Sequence, residues 1–164
     1  MDKRDLEQLL SNVADGSVAP ADALTRIQTA PTADLGFAQL DLSRGVRQGA
    51  GEVVYGAGKT AEQIAAIIEA LRDAGQEHVL VTRLDADKAA RTAELLDDNI
   101  DLGYVPDAQL ALVGGTPSPT GNGRIVVACA GTSDLPVAEE AALTAEFYGN
   151  EVDRLYDVGV AGLH

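Results

Sequence analysis

The stretch that decides the fold is residues 124–157, which read R-I-V-V-A-C-A-G-T-S-D-L-P-V-A-E-E-A-A-L-T-A-E-F-Y-G-N-E-V-D-R-L-Y-D. Residues 125–130 form a short apolar run rich in β-branched side chains, which is typical of a buried strand. The run breaks at Gly131, and a helix is predicted from about residue 135, where a proline is tolerated in the first turn. Residues 151–157 then form a second strand. The pattern predicts a strand–helix–strand unit with parallel strands.

The helix of this unit has an apolar stripe. Val137, Ala141 and Ala145 recur at helical spacing, and Ala138 and Ala142 widen the stripe. We therefore expect this face to pack against the sheet.

Two loops follow the two strands and are expected at the same edge of the sheet, where ligands bind in open α/β folds. The first loop contains Gly131, Thr132, Ser133 and Asp134. A glycine, two hydroxyls, a carboxylate and free helix N–H groups suit a phosphate or a ribose. The simpler alternative is that Ser133 and Asp134 only cap the helix.

The second loop covers residues 158–164. Gly159, Ala161 and Gly162 bring the backbone round to His164. A histidine such as His164 can move a proton near neutral pH.

A third candidate segment is G-A-G-K-T at residues 56–60. It is not a Walker A motif, because Val53 stands where that motif requires glycine. Thr60 is predicted to cap the next helix in a capping box with Gln63, and a phosphate contact by Lys59 is the alternative. Upstream, Arg44 and Arg47 lie three residues apart and therefore on one side of a helical turn.

Composition excludes several classes of function. The net charge of −14 argues against nucleic acid and against anionic membranes as partners. Apolar runs stay far short of the roughly 18 residues that a membrane span needs, and no secretory signal is visible at the N-terminus, so a cytoplasmic location is expected. The lone Cys129 excludes an internal disulfide and a cysteine-based zinc cluster, and it is expected to be a small core residue.

Three segments are predicted along the chain. Residues 1–30 form a helical pair, residues 31–118 a small α/β unit, and residues 119–164 the start of a second α/β domain, with a Gly- and Pro-rich loop at 114–123 between them. In the middle segment, strands are expected at 35–42, 52–55, 79–82, 100–105 and 109–113, and helices at 60–74 and 87–96. The 87–96 helix is expected to pack through Ala89, Ala90, Ala93 and Leu96.

The motifs G131-T-S-D134-L-P-V-A-E-E-A and Y156-D-V-G-V-A-G-L-H164 resemble the AIR-carboxylase-type domain of the LarB family, a relative of PurE. The resemblance spans residues 34–164 and includes L35-G-F-A-Q-L-D41, R44-x-x-R47-x-G49 and E52-V-V-Y-G-A-G-K-T60. It implies an α/β fold whose last segment begins a flavodoxin-like parallel sheet. Ser133, Asp134 and His164 match the loop and the catalytic histidine of PurE.

The resemblance also implies an activity. LarB proteins carboxylate the pyridinium ring of nicotinic acid adenine dinucleotide with CO2 or bicarbonate and hydrolyse its phosphoanhydride to release AMP, in the biosynthesis of the nickel-pincer nucleotide. Mg2+ on the pyrophosphate is compatible with this chemistry. The loop residues and Arg44, Arg47 and Lys59 would bind the substrate, and a homo-oligomer is expected.

One departure from the family bears on activity. The family's reactive cysteine lies beyond the segment that resembles this chain, so the 164-residue chain alone is expected to be inactive. The alternatives are a PurE-like aminoimidazole ribonucleotide carboxylase or mutase, against which the upstream motifs argue, and a non-catalytic nucleotide-binding or assembly module.

Overall fold

The N-terminal segment is a pair of helices, as predicted. A computed structural model describes residues 3–28, 32–42 and 51–159. Helix α1 spans Lys3–Ala14 and α2 spans Pro20–Gln28. Leu9 and Ala23 supply the buried apolar surface of the two helices.

Residues 32–42 form a hairpin and not the single strand expected at 35–42. Strands β1 (Thr32–Asp34) and β2 (Gln39–Asp41) pair antiparallel. The turn is closed by the N–H of Leu35, which donates to the carbonyl of Ala38 at 2.9 Å. Gly36 takes φ 78°, and its N–H donates to the Asp34 carboxylate at 2.8 Å. The expected strand is interrupted because this glycine supplies the left-handed residue that a tight turn needs.

The central sheet has the strand order β3-β4-β6-β5. Its strands are β3 (Val53–Tyr55), β4 (Val79–Thr82), β5 (Leu102–Val105) and β6 (Leu110–Val113). Only β3 and β4 are parallel; β6 runs antiparallel to both of its neighbours. Helices α3 (Ala61–Asp73) and α4 (Ala86–Leu95) complete this unit.

Helices α3 and α4 cover one face of the central sheet. The isoleucine stripe of α3 is buried as predicted, with Ile64 and Ile68 fully inaccessible. On α4 the expected packing face is partly wrong, since Ala90 and Ala93 are exposed while Ala89 and Thr92 are buried. Thr92 is fully buried although it is polar, so the buried face of this helix is not set by hydrophobicity alone.

Residues 124–155 form the predicted strand–helix–strand unit. Strand β7 (Arg124–Ala128) pairs parallel with β8 (Glu151–Leu155), and α5 (Leu135–Phe147) connects them. The prediction of parallel pairing is confirmed. The expected burial of the first strand is wrong, because Val126 is 57% exposed in a sheet of two strands.

Helix α5 buries only part of the predicted face. Val137 is 58% exposed and Ala141 is exposed, whereas Ala138, Ala142 and Phe147 are buried. The reason is that α5 packs against two sheets. Glu139 and Glu146 face β8 through ion pairs. Phe147 enters the second face of the central sheet beside Leu80, Ala108 and Leu110.

Candidate functional site

The loop after β7 is closed on itself. Residues Thr132–Asp134 form a 3-10 turn in which the Asp134 N–H donates to the carbonyl of Gly131 at 3.0 Å. In return, the Gly131 N–H donates to the Oδ2 atom of Asp134 at 3.3 Å. The carboxylate therefore fixes the loop while its second oxygen stays available for a ligand.

Neither Ser133 nor Asp134 caps α5. Asp134 occupies the N-cap position with helical backbone angles, and no side chain bonds to the first turn from there. Thr132 and Ser133 are exposed. The first N–H groups of a helix have no partner within the helix and carry a positive partial charge. Here, however, the N–H of Leu135 donates to the carbonyl of Thr132, and Pro136 has no N–H. Asp134 thus caps the 3-10 turn through Gly131 and makes no side-chain bond to α5, and the groups exposed before α5 are the hydroxyls of Thr132 and Ser133.

The second loop lies directly beside the first. The N–H of Cys129 donates to Leu155, the N–H of Val158 donates to Cys129, and the N–H of Gly159 donates to Ala130, each at 3.1 Å. A Cβ atom on Gly159 would lie 2.6 Å from the carbonyl oxygen of Ala130. The structure therefore brings Gly159 against the start of the 131–134 loop. Ala161, Gly162 and His164 lie outside the described residues.

The segment around Lys59 lies at the carboxyl end of β3. The Gly56 N–H donates to the carbonyl of Thr82 at 2.7 Å, and Lys88 Nζ donates to the carbonyl of Gly56 at 3.1 Å. These contacts fix the loop to β4 and α4. The capping box between Thr60 and Gln63 is confirmed, whereas a phosphate contact by Lys59 stays a prediction. Arg44 and Arg47 lie outside the described residues.

Two charged residues near these loops were not predicted. Arg83, directly after β4, places its Nε atom 2.8 Å from the Oε2 atom of Glu140 on α5. The sequence predicts only that Lys88 lies in a helix. No short motif marks either residue, since their partners lie far away in the chain.

Two further features of the structure concern metal ions and membranes. Among the described residues no cluster of three or more histidine, cysteine or acidic side chains is arranged as a metal site. Across the same residues, no helix has the length and apolar character that crossing a membrane requires.

Comparison with known proteins agrees with the resemblance in the motifs. The family of the LarB/PurE-like N-terminal domain matches residues 32–114, just over half of the chain. An uncharacterized protein of Methanocaldococcus jannaschii is 35% identical over 130 residues, which are 77% of this chain and 50% of that protein. The chain thus spans about half the length of this curated relative. By the match over residues 32–114, the chain belongs to the LarB family.

Proposed function

We propose that the protein containing this chain is a pyridinium-3,5-biscarboxylic acid mononucleotide synthase. It would carboxylate the pyridinium ring of nicotinic acid adenine dinucleotide and hydrolyse the phosphoanhydride, releasing AMP. Family membership supports a carboxylase of the LarB/PurE type. The observation that carries the proposal to a nucleotide substrate is the pair of exposed hydroxyls of Thr132 and Ser133 beside the Asp134 carboxylate, in a loop that closes on itself at the start of α5.

The charge of each loop residue determines which part of the substrate it would bind. Ser133 and Thr132 bind a phosphate, because their exposed hydroxyls donate hydrogen bonds and the helix end is partially positive. Asp134 is a poor phosphate ligand, since like charges repel. Its Oδ2 atom accepts from Gly131, so Oδ1 is left for the ribose hydroxyls or for a metal ion. Gly159 permits the close approach of the two loops.

Two further groups would complete the site. Mg2+ fits as an ion held chiefly by the pyrophosphate, with Asp134 as the single carboxylate that this loop offers. It would neutralise the phosphate charge during hydrolysis. CO2 or bicarbonate is the co-substrate, and His164 is proposed to move a proton. Lys59, Arg44, Arg47, Ala161 and Gly162 are proposed to line the substrate, in a homo-oligomer.

The test is calorimetric titration of nicotinic acid adenine dinucleotide into the protein as its gene encodes it. We expect Asp134→Ala to weaken binding by about 1–3 kcal/mol, which is typical of a lost hydrogen bond involving a charged group. Asp97→Ala, at an exposed position just beyond α4, is the matched control and should bind as the wild type does. Melting curves of both variants show whether the fold is intact.

A second ligand separates this proposal from its alternatives. Binding of aminoimidazole ribonucleotide in place of the dinucleotide would favour a PurE-like enzyme. Unchanged affinity in Asp134→Ala alongside a lowered melting temperature would mean that the loop has only a structural role. CO2-dependent release of AMP from the dinucleotide is the activity that the proposal requires.

A further inference from the structure

Arg83 joins the central sheet to the helix that carries the candidate loop. It directly follows β4, and its Nε atom lies 2.8 Å from the Oε2 atom of Glu140 on α5. The arginine side chain is 49% exposed and the glutamate side chain 19% exposed. The pair thus lies at the boundary between solvent and the packed side of α5.

The backbone at Arg83 is held in an unusual conformation. Its φ is 54°, in the left-handed region that favours glycine. The next residue, Leu84, is fully buried, and its N–H donates to the carbonyl of Gln109 at 2.8 Å. The left-handed backbone at Arg83 therefore directs the side chain of Leu84 into the core, while the side chain of Arg83 lies toward α5. A strained residue of this kind persists only where the surrounding structure holds it.

The pair connects the two candidate loops. Thr82, the neighbour of Arg83, accepts the hydrogen bond from Gly56 that fixes the 56–59 loop. Glu140 lies on α5 about 9 Å along the helix axis from Asp134, at 1.5 Å per residue. The loop at 56–59 therefore connects to the loop at 131–134 through the Gly56–Thr82 hydrogen bond, the Arg83–Glu140 ion pair and less than two turns of α5.

Two kinds of contact hold α5 to the central sheet. An open groove of about 540 Å³ lies beside the ion pair, and Val137, Ala141 and Ile125 are among the residues that line it. At the other end of α5, Phe147 is anchored in the core next to Leu80. Helix α5 is thus held to the central sheet by an apolar contact near its end and by the ion pair nearer its start.

We propose that Arg83 is a positioning residue whose ion pair with Glu140 fixes the loop 131–134 relative to the loop 56–59. Through that restraint it sets the affinity for an anionic nucleotide. The effect on affinity rests on the proposed function, whereas the restraint itself does not. Arg83 acts through α5 and is not assigned a contact with the substrate.

The first measurement is amide hydrogen exchange without ligand at Asp134 and Leu135, whose N–H groups donate to the carbonyls of Gly131 and Thr132. Arg83→Gln and Glu140→Gln should each speed exchange there, and the double charge reversal, Arg83→Glu with Glu140→Arg, should restore it. Arg91→Gln is the control, because Arg91 is about as exposed as Arg83 and forms its ion pairs away from α5, with Glu62 and Glu94. If amide exchange in Arg83→Gln is as slow as in the wild type, the proposed restraint is wrong.

The second measurement is the dissociation constant for nicotinic acid adenine dinucleotide. We expect each single variant to bind about five- to tenfold more weakly, the low end of typical coupling between sites, and the charge reversal to bind as the wild type does. Arg83→Gly separates this role from stability, since glycine relieves the backbone strain while the pair is lost. It should melt close to the wild type and still bind weakly.

The outcomes keep the two proposals apart. A charge reversal that restores hydrogen exchange but not binding would overturn the positioning role and indicate a direct contact between Arg83 and the anion. A wild-type protein that fails to bind the dinucleotide would overturn the proposed function, and the exchange measurement would still decide the restraint.

Discussion

Arg154 on β8 and Glu146 on α5 form a two-point ion pair, in which Nη1 contacts Oε1 and Nη2 lies 3.0 Å from Oε2. The same guanidinium places its Nε atom 3.3 Å from the Oε2 atom of Glu139. The hydrogen bonds that Arg154 donates to Glu146 raise the pKa of Arg154 above its ordinary value, so the side chain stays charged. This cluster fixes the strand to the helix in a unit whose strands are largely exposed.

We expect Arg154→Met to lower the free energy of unfolding by about 1–2 kcal/mol, the range for hydrogen bonds to charged groups reduced by solvent screening. The loss also leaves Glu139 and Glu146 without their shared cation. Arg124→Met is the control, because Arg124 pairs with Glu151 at an exposed position and should cost less. Urea denaturation gives both values, and equal costs would show that the Arg154 cluster is no stronger than a surface pair.

Phe147 is the apolar contact between α5 and the central sheet. It is 6% exposed and packs in the cluster of Leu80, Ala108 and Leu110. Phe147→Ala should lower the free energy of unfolding by about 3–5 kcal/mol, because it removes buried surface and leaves a cavity. Phe147→Leu keeps most of the volume and should cost clearly less. A small loss in the alanine variant, measured by denaturant unfolding, would mean that α5 does not depend on this contact.

Local signals were sufficient for much of this fold. The capping box of Thr60 and Gln63, the isoleucine stripe of α3 and the parallel pair of β7 and β8 were all predicted, and each depends on residues close together in the chain. The packing face of α5 was predicted only in part. Val137 and Ala141 form as regular a stripe as Ala138 and Ala142, so the choice between them is made by the two sheets that α5 contacts.

The candidate site was likewise predicted only in part. The nearness of Gly159 to the loop 131–134 follows from parallel strands that end at one edge. The ion pair of Arg83 and Glu140 could not be predicted, because it depends on how α5 lies across a different sheet. A left-handed arginine carries no sequence signal, since the positions where φ is positive usually favour glycine.

Thr60 is expected to stabilise α3 by capping it. The Gln63 N–H donates to the Thr60 hydroxyl at 3.2 Å, and the Thr60 N–H donates to the Gln63 side chain at 3.0 Å. Thr60→Ala should therefore lower the free energy of unfolding by about 1 kcal/mol. Thr60→Ser keeps the hydroxyl and should be nearly neutral in the same denaturation experiment. A serine variant as unstable as the alanine variant would point to the methyl group as the stabilising part.

Asp85 gives the fold a predictable dependence on pH. Its carboxylate caps α4 by accepting the N–H of Lys88 at 2.8 Å, and this hydrogen bond lowers the pKa of Asp85 below its ordinary value of 3.8. A carboxyl group whose pKa is lower in the folded state stabilises the fold above the unfolded-state pKa, and that stabilisation is lost as the pH falls through the folded-state value. Asp85→Asn still offers a cap acceptor but does not titrate. We therefore expect the melting temperature of the wild type to exceed that of Asp85→Asn near neutral pH, and the difference to shrink as the pH falls below 3.8. Melting curves of both proteins over that range test this, and a difference that stays constant would show that the charge of Asp85 contributes nothing to the cap.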